Sequence, residues 1–291
     1  MRHHHKSDSR KSDGRFRRRF FAILLLAVCS LTVFSATAAN VRLTIFDCGL
    51  INVYDVRTFS LTNEETTVRE LFVPCYLIEH PDGRLLWDAG LPPSMVGQGR
   101  IESPPDMAMS YENSLIDQLA ELSLTPADVD FAAYSHMHFD HVGAANAFSS
   151  ATLLIQDTEY QAAFIDKDNP YFQPDLYEGL VDSEKEILSG DHDVFGDGSV
   201  VIISAPGHTP GHQVLSLKLD NFGPLILSGD LYHFRKSREL RRAPQFNVDA
   251  EQTFRSMDKV EALIKAEGAT FWIEHDKALA DTLDLAPAYY D

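Results

Sequence analysis

Apolar and polar positions divide this chain into many short strands and a few helices. Val41-Arg42-Leu43-Thr44-Ile45-Phe46 alternates with period two and predicts a strand. Residues 72–79 and 84–87 predict a hairpin around the turn sequence Pro81-Asp82-Gly83. Within 112–122, Leu115, Ile116, Leu119 and Leu122 recur at helical spacing, and Thr125-Pro126-Ala127-Asp128 follows. Short apolar runs predict buried strands at 131–134, 151–155, 199–203, 213–217, 224–227 and 270–273, with a short helix at 157–164. Residues 249–266 give the clearest helix, with Phe254, Met257, Val260, Leu263 and Ile264 on one face. Residues 165–198 are aromatic and acidic and resist assignment. No Pro/Ser linker or short repeat interrupts 41–291, so the pattern predicts one α/β domain built from two sheet-and-helix halves.

The start of the chain is different in kind. The first 19 residues carry eight Lys or Arg against two Asp, and no residue from Phe20 to Ala39 is charged. A basic start, an apolar middle and Ala36-Thr37-Ala38 are the three parts of a secretory signal. We expect 1–38 to be a signal peptide cleaved after Ala38, leaving 39–291 as an exported domain, periplasmic or secreted. An uncleaved anchor is the alternative, because the apolar run is long enough to cross a bilayer. Arg17-Arg18-Arg19-Phe20 also resembles a twin-arginine signal, so the export route stays open. No later stretch is long and apolar enough to span a membrane, so the membrane enters only through export.

Composition narrows the classes. The 291 residues hold 25 Lys+Arg against 43 Asp+Glu, a net charge of -18. The leader takes mostly basic residues with it, so the remainder is more acidic still. Such a surface argues against nucleic-acid binding, which needs a basic patch. The expected domain keeps Cys48 and Cys75. An oxidising compartment permits them to pair, but the apolar run around Cys75 favours a buried free thiol.

The histidines carry the chemistry. His136-Met137-His138-Phe139-Asp140-His141 follows the strand at 131–134 directly. Three imidazoles and a carboxylate in six residues suit zinc and similar divalent ions. From an extended segment His136 and His138 point the same way. His208 sits in a Gly/Pro turn after the strand at 199–203, Asp230 follows the strand at 224–227, and His275 follows that at 270–273. Each candidate ligand thus leaves a short apolar strand, as a rigid scaffold presents a site at a sheet edge. Seven ligands suit two ions with one shared carboxylate.

This pattern resembles the metallo-β-lactamase-fold hydrolases over nearly all of 41–291. The resemblance implies an αββα sandwich, two β-sheets flanked by helices. It implies that His136, His138 and His208 hold one divalent ion, zinc foremost, that Asp140, His141 and His275 hold the other, and that Asp230 bridges them. Asp88 would orient the site from beside it. A bridging Asp230 speaks against true β-lactamases. Ser135–Gly143, Cys75-Tyr76-Leu77-Ile78, Pro206–Gln213 and Gly229-Asp230 most resemble the N-acyl-homoserine lactonases, the quorum-quenching branch. That branch commonly has a Tyr three residues after the bridging Asp. Here the position is His233, with Tyr232 one residue earlier, so either is a candidate to polarise the substrate carbonyl.

The expected reaction is opening of the lactone ring of N-acyl-homoserine lactones by a hydroxide shared between the two ions. Asp140 would act as ligand and proton shuttle. The competing reading is an exported phosphotriesterase or another ester hydrolase on the same dinuclear site; a non-catalytic metal-binding module is a third. Met95, Met107, Met109, Phe164, Tyr171, Phe172 and Tyr177 are candidates for an apolar wall around an acyl tail. His80, His192 and His212 are assigned no chemistry, with His212 expected to orient its loop. The partner is a small lactone or ester. Metal identity, acyl-chain preference and oligomeric state, a homodimer included, stay open.

Overall fold

The structure is a computed structural model that describes residues 40–103, 106–166 and 169–291. The expected signal peptide at 1–38 lies outside the described residues. Eight strands form the first sheet: β1 (Arg42–Val53), β2 (Glu70–His80), β3 (Gly83–Trp87), β4 (Ile101–Ser103), β5 (Met107–Ser110), β6 (Phe131–Ala133), β7 (Thr152–Gln156) and β8 (Lys185–Leu188). Their order is β4-β5-β1-β2-β3-β6-β7-β8. The second sheet contains β9 (His192–Asp193), β10 (Val200–Ser204), β11 (Gln213–Leu219), β12 (Gly223–Leu227) and β13 (Thr270–Trp272), in the order β13-β12-β11-β10-β9. The helices are α1 (Leu115–Glu121), α2 (Asp157–Tyr160), α3 (Arg235–Leu240), α4 (Ala250–Glu267) and α5 (Lys277–Ala280).

Side-chain alternation sorts the strands into an αββα sandwich. Leu43, Ile45, Tyr76, Ile78, Leu85 and Trp87 point from the first sheet into the space between the sheets. Val200, Ile202, Leu215, Leu217, Leu225 and Leu227 meet them from the second. The opposite face of the first sheet, with Phe46, Val73, Cys75, Leu77 and Leu86, packs on Leu115 and Leu119 of α1. The opposite face of the second, with Ile203, Val214 and Ile226, packs on Met257 and Val260 of α4. Burial on both faces is why 71–78 reads as a continuous apolar run and not as an alternating one. Each fully buried aliphatic side chain contributes about 1.5–3 kcal/mol. Helix α4 starts at Asp249, whose carboxylate accepts from Gln252 N–H at 2.9 Å, and ends at Gly268 in the left-handed region.

One expectation is corrected here. Cys75 is buried in the apolar core, but it is bonded to Cys48 and is not free. β1 and β2 are antiparallel neighbours that pair Phe46 with Cys75 and Asp47 with Pro74. Pro74 has no N–H for the ladder, and the register shifts between Asp47 and Leu50 opposite it. The bulge brings Cys48 to Cys75 with their Cα atoms 5.8 Å apart, within disulfide reach.

Two parallel pairings position the functional groups. β3 and β6 run parallel with Trp87 beside Ala133, so Asp88 and Ser135-His136 emerge together. β12 and β13 run parallel with Leu227 beside Trp272, so Asp230 and His275 also emerge together.

Candidate metal centre

Beyond β6 the chain turns over Asp88. Asp88 lies at φ +59°, a left-handed conformation that Asp tolerates better than most residues. Its carboxylate accepts from Ser135 N–H at 2.6 Å and from Ser135 Oγ at 2.9 Å. The exit of the histidine segment rests on the Asp88–Pro92 turn, where Gly143 N–H donates to Gly90 O at 2.8 Å. A Cβ at Gly143 would lie 2.2 Å from the Leu91 carbonyl carbon, so this close approach requires glycine.

His136, His138, His208 and Asp230 converge in one group, and Asp140, His141 and His275 in another, all seven residues buried. His208 Nε2 lies 3.1 Å from His136 Nε2 and 3.2 Å from His138 Nδ1. Asp230 reaches both groups. Its Oδ2 lies 3.1 Å from His208 Nε2, and its Oδ1 lies 2.9 Å from His275 Nε2 and 3.3 Å from His141 Nε2.

These residues fit divalent ions. His141 Nε2 and Asp230 Oδ1 are buried without a hydrogen-bond partner, an arrangement that is costly unless a cation sits between such groups. The outward ring nitrogens of His141, His275 and His208 are engaged. His141 Nδ1 lies 2.7 Å from Asp88 Oδ2, His275 Nδ1 donates to Phe72 O at 2.7 Å, and His208 Nδ1 lies 2.8 Å from Asn247 Oδ1. Each partner draws the ring proton outward and leaves the inward lone pair for a metal.

The electrostatics agree. Burial, helped by neighbouring imidazoles, drives His136 and His138 well below the usual histidine range. Burial also works to lower His275, but the carboxylates of Asp230 and Asp140 outweigh it and lift the ring to about 9. His141 likewise rises, because Asp88, Asp230 and Asp140 overcome its burial.

The residues around Asp230 differ in role. His212, assigned no chemistry from sequence, donates through Nδ1 to Ala205 O at 2.9 Å and accepts Asp230 N–H on Nε2 at 2.9 Å. Burial pushes it down to about 3, which keeps that neutral tautomer. His233 Nε2 lies 2.9 Å from Asp230 Oδ2, and its Nδ1 has no partner. A carboxylate only accepts, so without an intervening ion this contact requires a proton on Nε2, which leaves Nδ1 an acceptor. The donor role expected for His233 toward a substrate carbonyl needs the opposite arrangement. Tyr232 is not brought to the site, which corrects its candidacy. Its extended backbone, φ -144° and ψ 131°, sends successive side chains opposite ways, and its hydroxyl donates to Glu261 at 3.2 Å.

A cleft of about 650 Å³ opens onto His138, Asp140, His233 and His275. Met95, Met107, Met109 and Tyr171 line it, as does Phe246, which the sequence did not suggest. Phe164 and Tyr177 are instead core residues packed on each other at 5.2 Å, and Phe172 is buried beside His138. Ser135, Asn247, Glu159 and Glu274 also escaped the sequence reading. Glu274 had one available signal, its place next to His275. It accepts from Trp87 Nε1 at 3.2 Å and Gly229 N–H at 2.9 Å, and burial lifts its carboxyl to about 8.

Comparison with known proteins agrees with this geometry. Residues 68–266 match the Metallo-beta-lactamase superfamily. The chain is 31% identical over 238 residues to an N-acyl homoserine lactonase AttM of Rhizobium johnstonii, across 76% of this chain and 88% of that protein. It is 28% identical over 223 residues to N-acyl homoserine lactonase AiiA of Bacillus thuringiensis subsp. kurstaki, across 74% and 85%. A solved N-acyl homoserine lactone hydrolase, with N-hexanoyl-L-homoserine bound at its catalytic metal center, superposes with a TM-score of 0.73 at 25% identity, covering 85% of this chain and 98% of that one. The chain belongs to the metallo-beta-lactamase superfamily of hydrolases, on its N-acyl homoserine lactonase branch.

Proposed function

We propose that this protein opens the lactone ring of N-acyl homoserine lactones with two divalent ions, zinc foremost. The observation that carries this reading is Asp230, whose two oxygens each face a different ligand set. His136, His138 and His208 would hold one ion, Asp140, His141 and His275 the other, with Asp230 between them. Bound ions supply Lewis acidity toward an ester carbonyl and a water acidified to a pKa of about 7.

The chain's own residues do the rest. Asp140 lines the cleft, with Oδ2 3.7 Å from the Nε2 atoms of both His141 and His275. It accepts the proton released as water adds to the carbonyl carbon. It returns that proton to the ring oxygen as the C–O bond breaks, giving the open hydroxy acid. His212 and His233 hold Asp230 from two sides. Met95, Met107 and Met109 offer an adaptable apolar wall to the acyl tail.

Metal analysis with an acid-release assay tests this reading. Two ions per chain and acid release from N-acyl homoserine lactones are expected. Fast phosphotriester cleavage without lactone opening would favour the competing hydrolase, and fewer than one ion per chain would overturn both.

We also propose that the protein is exported, with 1–38 removed. The basic-apolar-small leader supports this, and so does the Cys48–Cys75 disulfide, a bond suited to an oxidising compartment. Mature protein from the cell envelope or medium should begin near residue 39; protein recovered only from cytoplasm with its leader intact would refute export.

A further inference from the structure

Glu159 of α2 is a buried carboxylate, 2% exposed, that touches no candidate ligand atom in the contacts above. Its Oε1 accepts Met137 N–H at 2.9 Å, and its Oε2 accepts Gly211 N–H at 2.8 Å. Met137 stands between His136 and His138. Gly211 ends the turn that presents His208 and stands next to His212. One side chain therefore joins the two loops that supply one ion's three imidazoles, loops about 70 residues apart in sequence.

The same short segment holds both loops elsewhere. Thr158 Oγ1 donates to Pro210 O at 2.8 Å. Gln156 Nε2 donates to Gln213 Oε1 at 3.2 Å, and Gln213 in turn donates to Tyr134 O and Ser135 O at 2.9 Å. The contact is close enough that a Cβ at Gly211 would lie 2.5 Å from Glu159 Cβ. Burial pushes the Glu159 carboxyl up, and the two amides work against that shift.

We infer that Glu159 is a positioning residue that assembles the His136, His138 and His208 set before any ion enters. This rests on the dinuclear reading above. Fixing loop separation in advance removes an ordering cost from metal binding, and such supporting partners typically account for about 10–100-fold in affinity. Gln at this position keeps the shape but offers one amide N–H group toward a main-chain N–H, so it holds only one loop.

Chelator-competition titration with zinc tests the inference in two backgrounds. His275→Ala disables the other set and reports on the three-imidazole ion; His208→Ala reports on the second ion. Adding Glu159→Gln should weaken zinc at least tenfold in the first background and less than threefold in the second. Equal weakening in both, or none in either, would overturn the inference. Amide hydrogen exchange on the unmutated, metal-free protein provides a check independent of variant folding. Met137 and Gly211 amides should already be protected; protection that arises only on adding zinc would overturn it. A native chain that binds no zinc would instead overturn the dinuclear reading, and this inference with it. Two ions bound normally by the native chain with no Glu159 effect would overturn this inference alone.

Discussion

Asp88 Oδ2 lies 2.7 Å from His141 Nδ1, on the ring edge opposite the nitrogen that faces Asp230. The same carboxylate holds Ser135, so one aspartate sets both the start of the histidine segment and the orientation of its last ring. Asp88→Asn preserves size but weakens its claim on the ring proton. We expect a loss of about 10–100-fold in affinity for the ion bound by Asp140, His141 and His275, read by zinc competition. Unchanged affinity would remove Asp88 from this role.

Metal uptake should be proton-linked. The raised pKa of His275, about 9, means that the metal-free protein carries this proton at pH 7. An ion must displace it, so zinc affinity rises as pH rises through about 9. The metal-free fold has the opposite trend: this group's stabilisation is complete below its unfolded pKa of about 6.5 and is lost as pH rises through about 9. Zinc titration in a weakly buffered indicator should show at least one proton released per chain at pH 7.

Asp140→Asn keeps a metal donor oxygen but removes the proton acceptor. Lactone turnover should fall by at least about 100-fold, with the ion at His136, His138 and His208 retained. Normal turnover with both ions bound would end the shuttle role.

Tyr232 and His233 should separate cleanly. Tyr232→Phe loses only a hydrogen bond to Glu261, so kcat/KM for a lactone should stay within about twofold and stability should fall by about 1 kcal/mol. His233→Ala removes a contact to Asp230 and a wall of the cleft, and should lower kcat/KM at least tenfold. Equal effects would contradict the opposed directions of these side chains.

The disulfide spans 27 residues, and the loop-entropy relation gives about 3–4 kcal/mol of stabilisation. The Cys48→Ala, Cys75→Ala double variant should lose stability on that scale in denaturant unfolding. An unchanged midpoint would show that the β1–β2 pairing is sufficient alone.

What could be seen in sequence was whatever repeats locally. His136 through His141, and His208, Asp230 and His275, each follow an apolar strand, so the strands and the candidate residues that the fold brings together beyond them were legible. β5 was not, because Met107-Ala108-Met109-Ser110 has no β-branched residue; its pairing with Leu50–Val53 of β1 makes it a strand. The Cys48–Cys75 bond depends on a bulge opposite Pro74, a property of register. Glu159 was invisible because its partners are main-chain amides 22 and 52 residues away. The helix expected at 157–164 continues past Tyr160 with wider turns, as a π-helix over Gln161–Asp166.

The two parallel pairings, Trp87 beside Ala133 and Leu227 beside Trp272, have a consequence for how this protein can change over generations. A slip of one residue in either would move a ligand by about 3.3 Å, more than a metal–ligand bond length, and would turn it to the other face. Tyr171 and Gln173, which line the cleft, lie between these pairings in sequence and belong to neither. Side-chain changes there reshape the mouth of the cleft without shifting either pairing, so new substrates are reached by editing the rim and not the centre.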